Sequence, residues 1–241
     1  MSRVPTNVSF EEWVRCVFDH SVEREAWYWE IDNDTFEPDP VRLVAHSSRL
    51  FAESVAALAA FTDEQIDQGF WFLVGSSTEL DVLCSDGVPL PDRLHCIRSI
   101  ARLFEQCFAV RCTPHLSHLL SRNDEQGVGP LNSSCYMWWD LLWHPIALWH
   151  DSGFSSRMPV EYQLQVANED EIDGACIAVM ESILELPSIA CQESALHGLG
   201  HWGKFRQERC RGVITAFLQR HPDTDPKLRE YALKAQESKV L

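Results

Sequence analysis

Apolar residues recur three and four positions apart through most of this sequence, and no run of segments keeps the two-residue alternation of a sheet. Residues 92–110 show it best: Leu94, Ile97, Ile100, Ala101, Phe104, Cys107 and Phe108 fall on one side of a helix. Ile172, Ala175, Cys176, Val179, Met180, Ile183 and Leu184 repeat the pattern over 170–186. Such stripes must be buried against other helices, so the chain is expected to be all-α.

Punctuation divides the pattern into elements. Ser9 and Glu12 have capping-box spacing and open a helix near 10–20, drawn on toward Trp29. Residues 31–40 are acidic, with two prolines, and read as a loop. Asp39 then caps a helix with Pro40 at its first position, expected to end near Ala60 and to carry Leu43, Val44, Leu50, Phe51, Val55, Leu58 and Ala59. Thr62 and Gln65 start the next helix, which stops by Gly75. A short helix is expected at 77–84 and another at 114–121, and 122–133 reads as an internal loop and boundary. Pro145 ends or kinks a helix within 134–150. Residues 151–160 read as a loop, and Val160–Val166 leaves strand or helical turn open. Pro187 ends the 170–186 helix, Ser188 caps one to Trp202, and helices follow at 206–220 and 227–236.

The C-terminal part resembles HEAT-like helical repeats. The likeness lies in the pair 170–186 and 188–202, joined by Leu186-Pro187-Ser188, and the pair 206–220 and 225–236. The stretch Gln192–Trp202 (QESALHGLGHW) is similar to the second helix of such a repeat, and 228–232 and Thr62–Gly75 are fainter copies. The resemblance implies an α–α superhelix of antiparallel helix pairs, HEAT-like in the C-terminal half, binding a macromolecule on its concave face. It carries no catalytic residue. The chain is expected to form one all-α domain over 1–241, with 122–133 as a subdomain boundary.

Charge narrows the partners. Asp and Glu number 36 against 20 Lys and Arg, a formal net of −16. Residues 129–187 carry nine acids and one base, Arg157, whereas all four lysines lie beyond residue 200. Such a chain repels phosphate backbones and anionic membranes and attracts basic proteins. The basic residues after 203 form too small an excess to suggest nucleic-acid binding. No segment reaches the roughly 20 apolar residues of a membrane span. Met1–Phe10 lacks a basic region followed by an apolar run, so no signal peptide is expected. Nine cysteines without C-x-x-C spacing read as buried free thiols in a reducing cytoplasm. In charge and composition the chain also resembles bacterial immunity and adaptor proteins.

Two constellations bear chemistry. Glu193, His197 and His201 recur every four residues and share one helix side, the spacing with which imidazoles hold a divalent ion. His197–His201 reads H-G-L-G-H, so the glutamate of an H-E-x-x-H site is missing, and Glu193 is the candidate third ligand to zinc. Gly198 and Gly200 sit mid-helix, where each costs about 1 kcal/mol against alanine, so close packing or a ligand must compensate. The second constellation is aromatic: Trp138, Trp139, Asp140, Trp143, His144, Trp149 and Asp151, with His150, suit a core, a pocket, an interface anchor or acid–base work by a His–Asp pair. His115 and His118 read as solvent-facing. Asp32, Asp34, Glu37 and Asp39 lack the glycine and terminal glutamate of a calcium loop. No phosphate-binding glycine loop and no G-x-S-x-G elbow occurs.

With no complete catalytic set, the sequence points first to a non-enzymatic module whose acidic surface, from residues 11–67 and 140–185, captures a basic protein. A metal-dependent hydrolase built on Glu193, His197 and His201 is the alternative.

Overall fold

Ser9 accepts a hydrogen bond from the Glu12 backbone N–H, and the Glu12 carboxylate answers to the Ser9 N–H at 3.0 Å. This closed box starts α1 (Phe10–Phe18). The computed structural model describes residues 8–23, 26–29, 39–76, 79–119, 127–142 and 168–240. Among them every regular element is helical and none is a strand.

The remaining long helices are α2 (Pro40–Ala52), α3 (Asp63–Trp71), α4 (Leu90–Leu103), α5 (Leu131–Leu142), α6 (Glu169–Leu184), α7 (Ile189–Trp202), α8 (Gln207–Arg220) and α9 (Pro226–Gln236). Most start where the sequence places a cap. Asp39 accepts from the Val41 and Arg42 N–H groups, Thr62 from Gln65, Ser188 from Cys191, and Asp225 from Lys227 and Leu228. Each satisfies donors that the first turn leaves without partners. α3 and α4 continue into wider π turns, Phe72–Ser76 and Phe104–Phe108, and α4 ends in Ala109–Arg111.

Several expectations change. α1 stops at Phe18, and only a short turn, Trp27–Trp29, lies on the stretch toward Trp29. The helix expected over 40–60 breaks at Glu53, whose φ of −114° and ψ of 26° leave the helical region, and a short Ser54–Ala57 helix follows. The break rotates the buried face. Ser54 and Leu58 go inside, whereas Val55, four residues from buried Phe51, is 64% exposed. The segments expected at 77–84 and 114–121 form tight 3₁₀ turns, Glu79–Cys84 and Ser117–Leu119. The 122–133 loop yields to α5 at Leu131. The stretches at 151–160 and Val160–Val166, and most of the acidic loop at 31–40, lie outside the described residues.

α2 packs on α4, α4 on α6, and α6 on α7; α7 lies between α5 and α9, and α8 packs on α9. Their apolar faces merge into one continuous core running from Val8 to Val240. Both glycines of α7 lie at these contacts. A Cβ on Gly198 would meet Trp139 Cβ at 2.5 Å and Met180 Sδ at 2.7 Å, and one on Gly200 would meet the Val240 methyls at 2.7 and 2.8 Å. Close helix approach thus offsets their helix-propensity cost. All nine cysteines are free, and seven are buried. Burial pushes the Cys96, Cys107 and Cys210 thiols up to about 12, as expected of inert apolar fillers. No described helix is long and apolar enough to cross a membrane.

Candidate metal centre

The seam between α5 and α7 brings two four-residue spacings face to face. Tyr136 and Asp140 lie on α5, and His197 and His201 on α7. Residues four apart share a helix side, and the absent side chain of Gly198 lets the two sides approach. Asp140, His197 and His201 each offer one ligand atom, and these atoms all lie within 4.8 Å of one another. Asp140 Oδ1 stands 3.8 Å from His201 Nε2. A tetrahedral zinc with bonds of about 2.0–2.2 Å holds its ligands roughly 3.3–3.5 Å apart. Closure therefore needs inward movement of about 1 Å, within reach of side-chain rotation.

His197 is wholly buried. Its Nδ1 pairs with the Tyr231 hydroxyl at 2.7 Å, and Tyr231 pairs with the Tyr136 hydroxyl at 2.9 Å. With Nδ1 carrying the proton toward Tyr231, Nε2 presents a lone pair. That atom is buried and has no hydrogen-bond partner among the described residues. A hydrogen-bond partner on one ring nitrogen is the usual device for aiming the other at a metal. Burial, reinforced by the nearby His201 and His118 imidazoles, lowers His197 to about 3. The ring is neutral at physiological pH, the state a metal requires. The His201 ring sits edge-on to it at 4.6 Å. His201 and Asp140 keep side-chain exposures of 19% and 21%, so water reaches the outer side of the group.

Glu193 is not in this group. Its carboxylate accepts from the Ser117 N–H at 2.7 Å and the His118 N–H at 2.9 Å, and pairs with His118 Nδ1. It caps the Ser117–Leu119 turn from a neighbouring helix, and both oxygens are used. The third donor beside the histidine pair is Asp140, which stands next to Trp138 and Trp139 in sequence. His118 is only partly exposed; it is bonded to Glu193 and stacked on Tyr231 at 4.1 Å. Sequence spacing gives no sign of His118 or Tyr231, which lie about 80 and 30 residues from His197.

The aromatic constellation divides. Trp138 and Trp139 are fully buried, so neither offers a partner any surface. Trp138 meets Phe51, Phe70, Phe104 and Phe108 at 5.4–6.0 Å, and Trp139 stacks on Phe104. Their enclosure by α2, α3 and α4 makes them core. Trp143, His144, Trp149, His150 and Asp151 lie outside the described residues.

The acidic faces are partly neutralised. Arg49 pairs with Glu11 and Glu53, Arg111 with Asp63, and Arg206 with Glu169, Asp170 and Asp173. No family model matches the chain, and no curated protein or solved structure matches it.

Proposed function

We propose that the chain binds a divalent ion of the zinc class through Asp140, His197 and His201. Three protein ligands leave a fourth position for water, the arrangement of hydrolytic zinc sites, and the exposed side of Asp140 and His201 gives a substrate access. The observation that carries this reading is the buried, partnerless Nε2 of His197 beside two further donor atoms. The structure-based ligand set replaces Glu193 with Asp140. The test is zinc stoichiometry and affinity by titration calorimetry on metal-stripped protein. One ion per chain, lost in Asp140→Asn and in His201→Ala but retained in Glu193→Gln, is expected. Binding that survives Asp140→Asn unchanged overturns the reading.

A HEAT-like arrangement of the C-terminal half is supported by its stacking, since α6 lies on α8 and α7 on α9, first helix on first and second on second. Capture of a basic protein is the second reading. It is favoured by Asp19, Glu23 and Glu64, exposed carboxylates with no ion pair among the described residues. Gln65 Nε2 donates to the His20 carbonyl at 3.1 Å and so draws their two segments together. Lysine at all three positions should abolish a salt-sensitive complex with such a protein, and a complex unaffected by these changes and by salt would exclude this reading.

A further inference from the structure

Two tyrosine hydroxyls continue from the Nδ1 side of His197. Tyr231, on α9, lies 2.7 Å from Nδ1, and Tyr136, on α5, lies 2.9 Å from the Tyr231 hydroxyl. The Tyr136 ring also packs on the His197 ring, with centroids 4.2 Å apart. The Tyr231 ring is stacked on His118 at 4.1 Å. The buried Glu193 carboxylate, an acceptor only, takes the hydrogen of His118 Nδ1. The Tyr231 hydroxyl is thus held by groups that are themselves bonded. Tyr231 is buried, whereas Tyr136 is partly exposed.

Each hydroxyl carries one hydrogen, and so does a neutral imidazole. The Tyr231 hydroxyl has two polar partners among the described residues, so it places its own hydrogen only by donating to one and accepting from the other. The two bonds therefore run in one direction. Run inward, from Tyr136 to Tyr231 to His197, they put the imidazole hydrogen on Nε2, a buried atom with no partner among the described residues. Run outward, from Nδ1 to Tyr231 to Tyr136, they leave over only the Tyr136 hydrogen, on a residue open in part to water. A buried donor without an acceptor costs more than a hydrated hydroxyl, so the outward direction prevails and Nε2 keeps its lone pair.

We infer that Tyr136 is a positioning residue of the metal site: as the terminal acceptor of this chain it fixes the direction of both hydrogen bonds and so holds the His197 lone pair on Nε2. Tyr136 is not a ligand and acts through Tyr231. The inference rests on the metal reading for its purpose, but the direction of the chain belongs to the metal-free protein and is measured there. Tyr136→Phe keeps the ring on His197 and removes the acceptor. The Tyr231 hydrogen is then left with Nδ1 as its acceptor, the chain turns inward, and the imidazole hydrogen occupies the atom that the ion needs. In Tyr231→Phe the link is already cut, so the Tyr136 hydroxyl has nothing left to direct.

The experiment has two readouts on the folded full-length protein. Long-range nitrogen–proton NMR correlations of the metal-free form identify the protonated nitrogen of His197. Zinc titration calorimetry compares the parent, Tyr136→Phe, Tyr231→Phe and the double variant. The parent should carry the hydrogen on Nδ1, and Tyr136→Phe should move a measurable share of it to Nε2. Zinc affinity in Tyr136→Phe should fall about three- to tenfold, less than for loss of the ligand's direct partner. The double variant should bind zinc as Tyr231→Phe does. A hydrogen on Nε2 in the parent, or on Nδ1 alone in Tyr136→Phe, would overturn the inference. So would an equal loss from Tyr136→Phe with and without the Tyr231 hydroxyl, the result expected if Tyr136 only packs. No zinc binding in any form would overturn the metal reading, while the tautomers still show whether the chain runs outward.

Discussion

Gly198→Ala separates helix propensity from packing. On propensity alone the change should stabilise α7 by about 1 kcal/mol. The structure predicts the reverse. The added methyl would lie 2.5 Å from Trp139 Cβ, 2.7 Å from Met180 Sδ and 2.8 Å from Trp139 Cγ. Carbon atoms in comfortable contact are about 3.5–4.0 Å apart, so the overlap with Trp139 is roughly 1 Å. Met180 can turn its thioether aside. Trp139 Cβ is fixed to the α5 backbone, and its ring is stacked on Phe104, so no rotamer relieves the clash. α7 must move away from α5. Overpacking of this kind costs about 1–3 kcal/mol, and the backbone-anchored contact puts it at or beyond the upper end. After the propensity gain, a net loss of about 2 kcal/mol remains, a melting temperature lower by about 4–8 °C for a chain of this size. Gly212 in α8 is the control, because a Cβ there meets nothing within 4 Å. Gly212→Ala should raise the melting temperature by about 2 °C. Both are read by thermal and urea unfolding followed by circular dichroism. The two ligand helices separate in Gly198→Ala, so zinc affinity should fall with stability. If Gly198→Ala matches or exceeds the gain of Gly212→Ala, the close α5–α7 seam is refuted.

Other expected outcomes follow from named contacts. Glu193→Gln turns an amide N–H toward backbone donors at Ser117 and His118 and should cost about 2–3 kcal/mol in urea unfolding, with zinc stoichiometry intact in the folded protein. Tyr231→Phe removes the partner of His197 Nδ1 and should weaken zinc binding about 10–100-fold with stoichiometry kept; an unchanged affinity would remove Tyr231 from any orienting role. Asp67, on α3, is raised by burial to about 6, against which its bond from the Ser134 N–H works only in part. Its folded value lies above its unfolded value near 4, so the native state holds the extra proton between these pH values. The stability it contributes is complete below about pH 4 and lost as pH rises through about 6. Asp67→Asn should therefore be more stable than the parent at pH 7.5 by about 1–2 kcal/mol and equal to it at pH 4, and a constant difference across that range would contradict the assignment.

The helices were legible because their signals are local. A Ser9 or Thr62 side chain caps a turn three residues away, and a three-four stripe needs only its own segment to register. Even here the break at Glu53 is not legible: nothing near it in sequence says that Ser54, rather than Val55, must face inward. Two of the three donors of the candidate site were visible in the same way. His197 and His201 share a face by helical geometry alone, and the glycines between them signal close packing.

The third donor was not legible. Four-residue spacing points as strongly to Glu193 as to any partner, yet its carboxylate is taken by the Ser117 and His118 N–H groups. Asp140 reaches the histidines because Gly198 lets α5 approach, and the tryptophans beside Asp140 turn inward to fill the core. By itself the sequence determined the helices, their caps, their apolar faces and the histidine pair, because those depend on neighbours within one or two turns. Only the tertiary structure decided which helix meets which, and so which donor completes the pair, because desolvation and close packing act between residues that the chain keeps far apart.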